Sequence, residues 1–267
     1  MKNYNEFFKA NKLLWNKRVD INFKSEFYNN EEFKKTKNSL NSIELNELED
    51  ISGKNILHLQ CHFGQDTLSL ARLGAKVTGV DFSEEAIKKA EELSEELNLT
   101  AKFVCSNIYD LKDNLNEKFD IVFTSYGTIG WLPDISQWAN IVSHFLKPNG
   151  KFLIVEFHPF IWTLDHNFEK IHYSYFHEDE PIAETLKGTY ADRNSDIEMV
   201  EYGWNHSLSD VINSLIAEGL EILSFKEFPF SPYNCFPNMK EVAKNKYMFE
   251  KFPGKLPIVY SLKAKKK

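Results

Sequence analysis

Short apolar runs alternating with helical spacing fill the middle of the chain. Residues 55–59 (NILHL) make an apolar run suited to a buried parallel strand, and 60–64 form a turn. Residues 66–73 place Leu68, Leu70, Ala71 and Leu73 at helical spacing, and Gly74 is positioned to end that helix. A second strand over 76–80 ends in Asp81. Ser83 is a good N-cap for a helix running to about residue 97, with Glu84 and Glu85 in its first turn, where carboxylates complement the dipole. Residues 101–105 predict a third strand. The run FDIVFTS at 119–125 predicts a fourth, apolar enough to be a central strand covered on both faces. A helix within 131–146 is closed by Pro148-Asn149-Gly150, and 151–157 (KFLIVEF) predicts a fifth strand.

The alternation then breaks. Residues 158–205 are long, aromatic and weakly periodic, more than a loop needs to be. A helix returns over 207–218, where Ser207 and Asp210 have capping-box spacing. Strands follow at 220–228 and 256–263, with a second aromatic segment, FPFSPYNCFPNM, between them. Upstream, 4–18 reads as an amphipathic helix, 23–33 as irregular and aromatic, and 42–48 as a helix leading to a turn at Ser52-Gly53. The division expected is a helical lead or lid over 1–52, an α/β core over 53–157, a cap insertion over 158–205 and the rest of the core over 206–267. Strand–helix alternation predicts an α/β fold with a doubly wound, mostly parallel sheet.

Composition narrows the class. The 267 residues are 42% hydrophobic and 27% charged, ordinary for a globular chain with a sizeable core. A net charge of -7 lacks the basic footprint of a nucleic-acid binder, and the lysines near the C-terminus read as a solvated tail. Cys61, Cys105 and Cys235 are dispersed, which suits a reducing compartment and gives no zinc pattern. No signal-peptide core and no stretch of transmembrane length is seen, so a cytoplasmic protein with no membrane partner is expected. The 22 Phe, 11 Tyr and 5 Trp are unusual, and many lie outside the strands. They suggest an aromatic-lined pocket as well as extra core.

Ligands of such sheets bind outside the carboxyl ends of the strands. Asp81, at the tip of the second strand, is suited to accept hydrogen bonds from a ribose diol; an N-cap role is the alternative, although Ser83 already fills it. The loop 60–64 keeps only Gly64, which is poor for cradling a pyrophosphate and argues against a nicotinamide dinucleotide. A ligand with ribose and adenine but no phosphate fits better.

The ordered set ILHLQCHFG, VTGVDFS, FVCSNI, FDIVFTSYG and LKPNGKFLIVE resembles the class I S-adenosylmethionine-dependent methyltransferases over about residues 54–156. The resemblance implies a Rossmann-like, seven-stranded sheet whose C-terminal strand pair adds an antiparallel element. It implies S-adenosyl-L-methionine as cofactor and S-adenosyl-L-homocysteine as product. It places Gln60, His62 and Gly64 at the family's glycine positions, with His58 where an acid is usual. Asp81 falls on the ribose-binding acid and Phe82 beside adenine. Asn107 stands where an acid meets the adenine amino group, Ile108 neighbours the ring, and Ser125 and Tyr126 open beside the methionine part. Gln60 or His62 is then a donor toward the cofactor's carboxylate, while His58 reads as a satisfied strand histidine.

Methyl transfer from a sulfonium needs an aligned nucleophile, exclusion of water and, for oxygen, usually a base. His158 and Glu156, at the end of the fifth strand, are the candidate base and substrate-orienting carboxylate; the alternative is that His158, before Pro159, merely orients the chain. Trp15, Tyr28, Tyr173, Tyr190 and Trp204 are the candidate substrate-binding residues, in a lid and a cap whose aromatic walls suit rings or onium groups. His166, His172 and His177 lack a tight metal-ligand spacing, so no metal is expected. The expected activity is methyl transfer to an oxygen or nitrogen of a small molecule. The rivals are a cofactor-binding regulatory module, a nicotinamide-dependent oxidoreductase and a macromolecular methyltransferase.

Overall fold

The structure, a computed structural model, describes residues 4–35 and 38–267. Residues 1–3 and 36–37 of the anticipated lead lie outside the described residues. In chain order the elements are α1 (Asn5–Lys24), α2 (Asn30–Lys34), α3 (Ser42–Leu48), β1 (Asn55–Leu59), α4 (Gln65–Arg72), β2 (Lys76–Asp81), α5 (Glu84–Glu96) and β3 (Ala101–Cys105). They continue with α6 (Leu111–Asn114), β4 (Phe119–Ser125), α7 (Ile135–Phe145), β5 (Leu146–Phe157), β6 (Ile182–Lys187) and β7 (Glu198–Gly203). Last come α8 (Leu208–Ala217), β8 (Leu220–Phe228), β9 (Met239–Ala243), β10 (Lys246–Phe249) and β11 (Val259–Lys266).

Seven strands form the main sheet in the order β3-β2-β1-β4-β5-β11-β8. β1 to β5 run parallel, and β11 runs antiparallel to both β5 and β8. This is the doubly wound, mostly parallel sheet that strand–helix alternation predicts, with the antiparallel C-terminal pair that the resemblance implies. The continuous apolar runs follow from burial on both faces. Along β1, Leu57 and Leu59 enter a core with Val80, Val122, Trp138 and Phe145 on one side; Ile56 enters another with Leu70, Phe123 and Val155.

Local chemistry sets most element ends. Ser83 Oγ accepts from Ala86 N–H, and Ser207 with Asp210 forms a complete capping box. The helix anticipated within 131–146 begins at Ile135, because Pro133 interrupts the turn and Asp134 caps the helix through Gln137 N–H. The last strand is shifted to 259–266, since Pro257 has no N–H to give a ladder. α1 is longer than the 4–18 expected. Within 158–205 the weak pattern hides a hairpin, β6–β7, and β9–β10 makes a second hairpin in the later insertion.

The hairpin and the lead are joined. The Asn11 side-chain amide donates to Tyr202 O at 2.8 Å and accepts from Tyr202 N–H at 3.0 Å. Arg18, 4% exposed, pairs with Glu201 at 2.7 Å. A strand edge is thereby covered by a helix, and the pair roofs the carboxyl ends of β1, β2 and β4.

Candidate active site

Beneath that roof lies a cavity of about 1480 Å³. A site for one small ligand usually has about 300–1,000 Å³, so this volume suits two ligands side by side. Gln60, His62, Gly64, Asp81, Phe82, Asn107, Ile108, Ser125 and Tyr126 all line it.

The loop after β1 departs from glycine in sequence but not in backbone. Gln60, His62 and Gly64 have φ of 55°, 51° and 80°, so every second residue is left-handed. For a non-glycine residue that conformation costs roughly 1–2 kcal/mol. The surroundings hold it: Gln60 Nε2 donates to Thr128 O at 2.8 Å, and His62 N–H donates to Asp81 Oδ2 at 2.9 Å. Only Gly64 has no space, since a Cβ there would stand 2.9 Å from the Phe103 ring and 3.0 Å from Ala90 Cβ. The side chains of Gln60 and His62 are free to leave toward the cavity, so glycine is dispensable at those two positions.

Asp81 is 9% exposed and accepts from Ser83 N–H at 2.9 Å through its other oxygen. Ser83 is the helix cap, so Asp81 is not needed for that task. Burial pushes its carboxyl up to about 6 against the backbone donors of Ser83, His62 and Phe82. Each oxygen retains capacity for a hydroxyl donor. Just beyond β3, Asn107 uses Oδ1 to accept from Tyr109 N–H at 3.0 Å, and Ile108 is buried beside it. Burial holds His62 down to about 3, so it is neutral among Trp15, Tyr28 and Phe63. His58 is buried, contacts Thr67 Oγ1 at 2.8 Å and is likewise held to about 3 by burial, which fits the strand-histidine reading.

At the end of β4 the structure brings in two carboxylates that sequence reading missed. Asp66 accepts from Ser39 Oγ at 2.6 Å and from Ser125 Oγ at 3.3 Å. Glu44, 0% exposed, accepts from Tyr126 O–H at 3.0 Å. Asp66 sits in the first turn of α4, where any acid complements the helix dipole, so its position gives no local sign of the cavity. In α3 Glu44 is buried alongside Ile43 and Leu48 while Leu45 is exposed, a placement without a local signal. Burial and the nearby Asp66 raise Glu44 from 4.5 to about 7, and burial raises Asp66. Between those limits folded Glu44 holds a proton that the unfolded chain releases, so stability falls as pH rises from about 4.5 to about 7. The effect is on the order of 3 kcal/mol. Glu44→Gln should flatten this slope in urea melts of the unliganded protein at pH 5 and 8; equal slopes in both proteins would refute it.

The substrate-binding candidates gather on the roof and rim. Trp15 meets His62 and Trp131 edge-on, each at 5.3 Å between ring centroids, and Tyr190 at 6.4 Å. The Tyr28 and Tyr190 hydroxyls bond to each other, as does the Tyr173 hydroxyl to Glu184. Trp204 is 3% exposed, lines the cavity and leaves its indole N–H without a partner. The later insertion adds Tyr233, whose ring meets Tyr126 at 5.1 Å.

Neither Glu156 nor His158 lines the cavity. Glu156, 1% exposed, accepts from the backbone N–H groups of Gly127, Thr128, Ile129 and Phe157 and from Thr128 Oγ1. It pins the turn that follows β4. His158 is 5% exposed, its Nδ1 accepts from Phe160 N–H and its Nε2 lies 3.0 Å from Glu227. Burial lowers it further from the range of a useful base. Behind the wall the Glu156 carboxylate is satisfied, while His158 Nε2 has the Glu227 contact but no hydrogen bond of good geometry. Of the three histidines weighed for a metal, His177 instead stacks on His206 at 5.0 Å. Among the described residues no three His, Cys, Asp or Glu side chains come together to hold a metal ion.

The polar groups fit a nucleoside carrying an amino acid and no phosphate. Asp81 is an acceptor facing the cavity, Gln60 Oε1 is buried without a partner, and the left-handed loop brings backbone close. The family profile described as "Methyltransferase domain" matches residues 50–201. A ubiquinone biosynthesis O-methyltransferase of Coxiella burnetii is 29% identical over 140 residues, 52% of this chain and 56% of that protein. Its counterpart in Xanthomonas oryzae is 30% identical over 105 residues, 39% of this chain and 44% of that protein. The chain thus spans about half the length of the curated relatives it matches. Among solved structures, an S-adenosylmethionine-dependent methyltransferase from Clostridium acetobutylicum superposes with a TM-score of 0.57 at 17% identity, covering 96% of this chain and 98% of that one. Magnesium protoporphyrin IX methyltransferase from Synechocystis, with bound S-adenosylhomocysteine, superposes with a TM-score of 0.51 at 13% identity, covering 100% of this chain and 89% of that one. These likenesses show the class I methyltransferase fold, and the profile spans more than half of the chain: the protein belongs to the methyltransferase-domain family.

Proposed function

We propose that this protein transfers a methyl group from S-adenosylmethionine to an oxygen or nitrogen of a small molecule, in the cytoplasm. The observation that carries this is the continuity of one cavity from Asp81, past the left-handed loop, to the end of β4 beneath an aromatic roof. When bound, S-adenosylmethionine supplies a methyl group activated by a sulfonium. Asp81 accepts from the ribose diol, Phe82 and Ile108 flank adenine, and Asn107 faces its edge. Gln60, His62 and Gly64 let the backbone approach the amino-acid part, which extends toward Ser125 and Tyr126.

Trp15, Tyr28, Tyr190 and Trp204 exclude water and hold the acceptor in line, with Tyr173 on the rim. Alignment and dryness are the main contributions such a roof makes. With Glu156 and His158 behind the wall, Asp66 and the Tyr28–Tyr190 pair are among the titratable groups that line the cavity. The names of the Coxiella and Xanthomonas relatives support an oxygen acceptor. The net charge of -7 supports a small molecule over a nucleic acid.

A binding module without turnover is the second reading, favoured by the replacement of two loop glycines. Methyl-labelled S-adenosylmethionine incubated with panels of phenols, carboxylic acids and amines separates the two. Labelled product with matching release of S-adenosylhomocysteine is expected. Tight binding with no turnover across the panels would favour the module.

A further inference from the structure

The cavity has a further arm, lined by residues of both insertions, that the cofactor contacts leave unused. A run of ring contacts marks its wall. Tyr126 meets Phe157 at 5.6 Å between centroids, and Phe157 meets Phe236 at 4.8 Å. Phe236 in turn meets Trp162 at 5.6 Å and Phe168 at 4.8 Å. These rings all line the cavity. A wall of this kind suits a flat apolar guest, because each well-placed aromatic pair contributes about 0.5–1.5 kcal/mol beyond its buried area.

At its outer end the lining turns cationic. Arg193, Lys244 and Lys246 line the cavity and are exposed, so they stand at its mouth. The turn after β6 fixes the first of them: Gly188 is left-handed, and a Cβ on it would stand 2.6 Å from Arg193 O. The charge of Arg193 reaches the thiol of Cys235, the neighbour of Phe236. Tyr247 and Ser231 exchange backbone hydrogen bonds at 2.8 and 2.9 Å. That bridge holds the tip of the β9–β10 hairpin, with Lys244 and Lys246, against the same segment. Among the described residues no carboxylate pairs with any of these three cations. Asp165 and Glu184, the lining acids of the cap insertion, are engaged by the Glu169 and Lys170 N–H groups and by the Tyr173 hydroxyl. An unpaired cationic mouth runs against the net charge of -7.

We propose that the acceptor is an aryl compound bearing an acidic group remote from the reacting atom, with its ring against Phe157, Trp162 and Phe236 and its acid at Arg193 and Lys246. This rests on the methyltransferase reading of the cavity. A neutral aryl compound leaves the mouth unpaired, and a cationic one is repelled by it.

Calorimetry on the full chain saturated with S-adenosylhomocysteine tests it with two probes of one ring system, 2-naphthoate and 2-naphthol at neutral pH. The wild-type protein should bind 2-naphthoate, and more weakly as salt is added, because exposed charges are screened. Arg193→Gln combined with Lys246→Gln should weaken 2-naphthoate at least fivefold and leave 2-naphthol and S-adenosylhomocysteine unchanged. Trp162→Leu should weaken both naphthalenes. Equal effects of the charge variant on both probes, unchanged affinity in Trp162→Leu, or wild-type binding of 2-naphthol without 2-naphthoate overturns the proposal, and so does binding of neither. Failure of the wild-type protein to bind S-adenosylhomocysteine at all would instead overturn the methyltransferase reading.

Discussion

Asp81→Ala is expected to weaken S-adenosylhomocysteine binding at least tenfold. A hydrogen bond to an ionised acceptor is worth about 1.5–3 kcal/mol, and each 1.4 kcal/mol is a decade of affinity, so the loss of one ribose bond suffices. Asp81 also accepts from His62 and Ser83 N–H groups, and alanine removes that support from the loop. Asp81→Asn keeps one oxygen acceptor and the shape of the side chain, and should fall between wild type and alanine. Calorimetry on all three, with melting curves to establish that each is folded, checks this. Unchanged affinity in folded Asp81→Ala would remove the ribose assignment.

Glu156→Ala should destabilise the unliganded protein by about 3–5 kcal/mol, as expected for breaking a buried charged network. Four backbone N–H groups and the Thr128 hydroxyl lose a shared acceptor in a place where water has little access. The turn after β4 carries Gly127 and Thr128, and Thr128 O is the anchor of Gln60, so the disturbance reaches the cofactor loop. Urea unfolding without ligand gives the answer. A residue whose work is catalysis would leave the midpoint near wild type, and that result would restore Glu156 as a candidate at the reaction centre.

Parts of the proposed cofactor site were legible from residues alone. Asp81 ends an apolar strand, Ser83 provides a better cap than Asp81, and Gly64 occupies the one loop position with no room for a Cβ. The replacement of glycine by Gln60 and His62 looked like a departure in the site. It is a departure in side chains only, because both residues keep the left-handed backbone. That was not readable from the chain, since the bonds that hold it come from Asp81 and Thr128.

The placement of Glu156 and His158 away from the cavity has a similar cause. β5 is buried on both faces, so the in–out alternation that usually orients a strand side chain is absent. Adjacency to the strand end therefore did not reveal that Glu156 points into a turn 27 to 29 residues upstream.

Periodicity, caps and turn chemistry are short-range, and they were enough to specify the strand ladder, its α/β class and the acid at the tip of β2. The roof and the acidic end of the cavity depend on partners far apart in sequence. Asn11 meets Tyr202 across 191 residues, Arg18 meets Glu201 across 183, and Tyr126 meets Glu44 across 82. Whether an acid such as Glu44 or Asp66 ends up in water or in a cavity is decided by those distant surfaces, because burial is a property of the packed whole.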